Sequence, residues 1–84
     1  MLVTLAVIDN GGNAIFYPAL TIASEEDTIE LFLRKKNVII EDVVDIKIGT
    51  SIQTVTSCDL DCINDIKIED LMIFKPCLIY VVIE

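Results

Sequence analysis

Histidine is absent from the 84 residues of this chain. A Ser-His or Cys-His relay is therefore impossible, and the usual zinc ligands are reduced to three cysteines. Basic residues are also scarce: six Lys and Arg stand against fourteen Asp and Glu, a net charge of −8. Direct nucleic-acid binding needs Lys and Arg to displace counterions from phosphates, so no direct nucleic-acid contact is expected. Glycine and proline are few while 54% of the residues are hydrophobic, which excludes a disordered chain. No apolar run is long. The longest, Cys77 to Ile83, falls far short of the ~18 residues that span a bilayer. The first positive charge is Arg34, so no signal peptide and no membrane contact are expected, and the cytoplasm is the expected compartment.

What is present suffices for one modest core, and residues 1–84 read as a single domain. Acidity of this degree fits simple solubility, a basic protein partner, or mimicry of a nucleic acid. Leu2 to Asp9 is apolar on both faces and rich in β-branched residues, the pattern of a strand buried on both sides. Asn10 to Asn13 (NGGN) offers the positive φ angles of a tight hairpin, and Ala14 to Ala23 reads as the returning strand. Pro18 cannot donate a ladder hydrogen bond, so that strand is expected at a sheet edge or bulged there. SEEDTIELFLRKKN, Ser24 to Asn37, reads as the one main helix. Ser24 or Asp27 would cap it, Arg34 to Lys36 would complement its negative end, and Asn37 would close it. Ile29, Phe32 and Leu33 form its inward stripe, with Leu31 off it. Val44, Ile46 and Ile48 alternate with Asp45 and Lys47, a half-buried strand turned by Gly49. Ile52 to Thr56 suggests a short return strand, Ser57 to Asn64 a loop or brief helical turn, and Cys77 to Glu84 a last strand. Ile66 to Phe74 is ambiguous.

This order resembles the β-grasp of the ubiquitin-like proteins. Three stretches carry the likeness: DTIE at Asp27 to Glu30, DIKIG at Asp45 to Gly49, and IEDLMIFKPCLIYVV at Ile68 to Val82. In the last, Ile68-x-Asp70-x-x-Ile73 is similar to the tight turn before the family's final strand. The resemblance implies an α+β fold, a small mixed sheet with one main helix in the arrangement ββαβ(β)β. The chain ends at Ile83-Glu84 without the Gly-Gly tail that conjugated relatives activate, so conjugation is not expected. What the resemblance leaves is noncovalent recognition through a sheet face, on which Ile46 and Val81 would match the family's hydrophobic patch. Some ten residues between Gly49 and Ile68 are inserted relative to the family pattern.

That insertion holds CDLDC, Cys58 to Cys62, the one stretch that suggests chemistry. With Cys77 and an Asp it would make a zinc site of three sulfurs and one oxygen, at a spacing unlike the usual pairs. A disulfide would close a very small loop and leave an odd cysteine. Asp59 and Asp61 would raise a thiol pKa, against the needs of a redox pair. The thiols therefore read as small side chains packed under a loop, with no metal and no cofactor expected, and the chain reads as not an enzyme. Surplus apolar surface is the stronger signal. Leu78, Tyr80 and Val82 point one way from the last strand, and Ile79, Val81 and Ile83 the other. One helix covers one sheet face, so the other should meet a partner or the inserted loop. The expected interface is Ile46 and Val81, joined by Ile79 and Ile83 according to the register of the last strand. The expected function is a non-catalytic, acidic protein-interaction module, with a protein partner, a homodimer or both. The alternatives are an inhibitor encoded by a virus or mobile element, blocking a basic or nucleic-acid-binding enzyme, and a metal-stabilised accessory domain.

Overall fold

The computed structural model describes the backbone of residues 1–84 and every side chain except those of residues 16–18. Five strands and one α-helix are found among the described residues, a small mixed α+β domain. The strands are β1 (Leu2–Asp9), β2 (Ala14–Ile22), β3 (Val43–Gly49), β4 (Thr56–Cys58) and β5 (Cys77–Ile83). They lie in the order β2-β1-β5-β3-β4. The two central strands, β1 and β5, run parallel, and the remaining neighbours are antiparallel.

The first hairpin forms where its turn residues demand it. Asp9 closes the loop: its Oδ1 accepts from the Gly11 and Asn13 amides, both at 2.9 Å. Of the two glycines only Gly12 takes a positive φ, 86°. β2 is an edge strand, as a proline-bearing strand should be. Its ladder with β1 slips between the Leu5–Ala19 and Val7–Phe16 pairs, so two residues of β2 face one of β1. Pro18 falls in that slip, and its side chain lies outside the described residues.

The helix α1 is Ile29–Lys35, shorter than its periodicity predicts. Its cap is Thr28, whose Oγ1 accepts from the Leu31 amide at 3.2 Å, in place of Ser24 or Asp27. A tertiary contact sets this start. The amides of Ile29 and Glu30 donate to the Ile66 and Ile63 carbonyls, and Ile68 donates to the Asp27 carbonyl. The segment between β4 and β5 thus takes up amides that a helix start leaves unsatisfied. Asp27 is buried and accepts from Lys35 Nζ at 2.7 Å. Asn37, at φ 65°, ends the helix as its residue type suggests.

Ile29, Phe32 and Leu33 reach down from α1 onto Val3, Leu5 and Val7 of β1, Ile46 and Ile48 of β3, and Ile79 and Val81 of β5. Ile63, Ile68 and Leu71, from the segment between β4 and β5, complete this core. Three expectations need correcting here. Ile46, Ile79 and Val81 are not on an open face: each is wholly buried, at 0% exposure, and Ile83 is half-buried and packed against the same cluster. Ile46 pairs with Val81 and Ile48 with Ile79, so the two strands turn these residues to the helix together. Val44 leaves the inward set, because the β3–β5 ladder slips between Val43 and Asp45 and turns it to solvent. The return strand is Thr56–Cys58, and Ile52 lies in an exposed loop before it.

Candidate interaction surface

The sheet's other face is the one left open. Strand alternation, read through the register, brings together Leu2 with Ile22, Thr4 with Leu20 and Leu78, and Ala6 with Tyr80. Ile8 with Val82 continues the row. β3 adds Lys47 beside Tyr80 and Asp45 beside Val82. These two, 4.0 Å apart, are the only charged strand residues of this face among the described side chains.

Exposure is greatest on the β2 side, at 69% for Leu20 and 75% for Ile22, with Leu2 next to them at 62%. Shallow clefts cross the face among the described residues. One of about 270 Å³ is lined by Leu2, Thr4, Leu20, Met72, Phe74 and Lys75. Another, about 280 Å³, is lined by Thr4, Ala6, Ile52, Leu78 and Tyr80. Ile52 comes from the loop after β3, which folds back tightly at Gly49. A Cβ on Gly49 would stand 2.6 Å from the Thr54 carbonyl oxygen. The loop after β3 therefore trims one end of this face. The β2 side stays uncovered, while toward the middle Ala6 at 2% and Leu78 at 7% exposure are already buried between half-buried neighbours.

The acidic groups gather elsewhere. Glu30 is on α1, Glu41 and Asp42 are in the 3-10 turn before β3, and Asp61, Glu69 and Asp70 are in the 3-10 turns between β4 and β5. The basic triplet is used up locally: Arg34 lies 3.7 Å from both Glu30 and Glu41, Lys35 holds Asp27, and the Lys36 ammonium sits 5.9 Å from the Phe32 ring centroid.

CDLDC forms a small capped turn. Asp59 Oδ1 accepts from the Asp61 amide at 3.0 Å, and the Cys62 amide donates to the Asp59 carbonyl at 3.0 Å. The three thiols are free and differ in setting: Cys58 half-buried at the end of β4, Cys62 exposed in the turn, Cys77 buried at the start of β5. Burial pushes the Cys58 thiol up, helped by the neighbouring Cys62 and Asp59, and burial alone raises that of Cys77. Among the described residues, no three Cys, Asp or Glu side chains converge as a metal site would require. No helix among the described residues is long and apolar enough to cross a membrane.

Leu2, Leu20, Ile22 and Ile52 were not singled out by the sequence reading. The signal was there for β2: a nine-residue strand with no charged residue, destined for an edge by its proline. Protein-family models, curated proteins and solved structures were all compared with this chain, and none matches it.

Proposed function

We propose that this chain is a non-catalytic protein-interaction module of β-grasp type, working through the open sheet face that carries Leu2, Leu20, Ile22, Tyr80 and Val82. The strand order β2-β1-β5-β3-β4, with parallel central strands and a helix between the second and third strands, supports the β-grasp assignment. One observation carries the functional reading: an apolar face spanning β2, β1 and β5, with the Asp45–Lys47 pair of β3 at its side, on a chain of net charge −8. A soluble acidic chain has ample charge to cover such a face, and contiguous apolar surface of this kind marks a contact. Catalysis has little support, since the chain lacks histidine and burial suppresses the thiolate of Cys58 and Cys77.

The acidic helix side favours a second reading, the stoichiometric blocker of a basic protein, because most of the negative charge is displayed there. Site-specific photocrosslinking in the native cell separates the two. A crosslinker replacing Leu20 should yield a discrete protein adduct, and one replacing Leu31 on the helix should not. Adducts from position 31 alone, with a basic protein, would transfer the working surface to the helix side. Absence of adducts from both positions would end the proposal.

A further inference from the structure

The open face carries both halves of a self-complementary contact. On the β2 side Leu20 and Ile22 stand out into solvent. Toward the middle of the sheet lies the cleft of about 280 Å³ formed by Thr4, Ala6, Ile52, Leu78 and Tyr80. A two-fold axis brings a surface against its own copy, so a projection beside a hollow on one face suits a closed dimer. We infer that two copies of this chain pack sheet on sheet, Leu20 and Ile22 of each protomer seated in the cleft of the other. This rests on the reading of the sheet face as the working surface.

Charge selects a second copy over a basic partner. Of the fourteen acidic residues only Asp45 lies on the strands of this face, beside Lys47, and the neighbouring cleft adds Lys75. A cationic protein finds its complement on the helix side, whereas a near-neutral apolar face is matched by another of its kind. Facing copies turn their acidic sides outward. Each protomer is at least 20 Å thick, so those sides lie well beyond the screening length of ~8 Å. The area also fits. A stable contact takes about 800 Å² from each partner, roughly a sixth of the protomer's 5029 Å². Five strands ~4.8 Å apart, in a body 30 × 24 × 20 Å across, present a face of that order.

Sedimentation of the full chain from low to high micromolar concentration tests the dimer. The wild type should pass from monomer to dimer, and added salt should leave the contact unchanged or tighten it. Leu20→Asp and Thr4→Glu should each weaken it at least tenfold while melting like the wild-type monomer in dilute solution. Leu31→Asp, on the helix, should leave association unchanged. A wild type that stays monomeric at high micromolar concentration overturns the dimer, and the crosslinking result from position 20 then judges the surface by itself. A dimer broken by Leu31→Asp puts the contact on the helix side. One broken by Leu20→Asp but not by Thr4→Glu is an edge pairing of β2. Either result overturns the inference.

Discussion

Val81 and Ile22 are both β-strand residues with branched side chains, yet they stand at opposite extremes: 0% and 75% exposed. Their substitution by Asp should separate fold from surface. In Val81→Asp a carboxylate would enter a packed core with no cationic partner, so destabilisation of about 4 kcal/mol or more is expected, enough to unfold most of the protein. In Ile22→Asp the carboxylate meets water, and the change should stay within about 0.5 kcal/mol. Denaturant melts of dilute protein check both, and a folded Val81→Asp would refute this placement of the core. Asp9 is informative for another reason. The Asn13 amide chiefly, with Gly11 and Gly12, holds its carboxyl below the ordinary 3.8. A carboxyl depressed on folding contributes stability that is whole above its unfolded value and is lost as pH falls through its folded one. Acid should therefore loosen the first hairpin below pH 3.8, and Asp9→Ala should remove that acid dependence. Carboxyl chemical shifts followed against pH measure the first, and melts in acid the second. A titration midpoint for Asp9 above 3.8 would contradict the turn geometry.

At the scale of elements, local chemistry and long-range contact divide the fold between them. The hairpin was legible because turn, strand length and proline all agree, and β1 and β2 begin and end within a residue of the expected bounds. The helix was legible by type but not by start, because the amides of Ile29 and Glu30 are taken up by Ile66 and Ile63, far away in sequence. The brief helical turn expected within Ser57 to Asn64 is there, at Leu60–Cys62, whereas Ile66 to Phe74 resisted reading for the same reason as the helix start. The 3-10 turns of these stretches follow no hydrophobic period and owe their place to docking beside α1. In β3 the alternation of Ile46 and Ile48 with Asp45 and Lys47 already placed the isoleucines inward. The family's hydrophobic patch, carried over by position, argued against that alternation, and the alternation was right. The loop after β3 supplies a sharp test of packing. Alanine at Gly49 would set a Cβ 2.6 Å from the Thr54 carbonyl oxygen and 2.8 Å from the Val55 Cα. Both are backbone atoms, so the loop must move, at a cost of about 1–3 kcal/mol. Thermal melts of Gly49→Ala give the value, and a cost near zero would mean that the loop does not pack there as described.

For the whole molecule the separation of charge from apolar surface is the organising fact. One side, made of α1, the 3-10 turn before β3 and the segment between β4 and β5, holds most of the carboxylates. The other is a sheet face on which apolar side chains predominate. Composition announced both ingredients, an apolar fraction of 54% and a charge of −8, but their segregation depends on strand parity and register. That is why a surplus apolar face was foreseeable and its residues were not. Segregation has a thermodynamic consequence if two such faces close on each other. Unfolding then releases two chains from one dimer, so stability must rise with protein concentration. Above the dissociation constant a tenfold rise adds about 1.4 kcal/mol per dimer, or about 0.7 for each chain. For a domain of this size that is an increase of about 3–6 °C in melting temperature. Leu20→Asp should abolish the dependence, melting at one temperature throughout the range, while Leu31→Asp should retain it. Calorimetry at two concentrations tenfold apart is sufficient. A wild-type melting temperature that does not move, with sedimentation showing a dimer at both concentrations, would mean that association adds nothing to the fold, which a sheet-on-sheet contact of this size cannot allow.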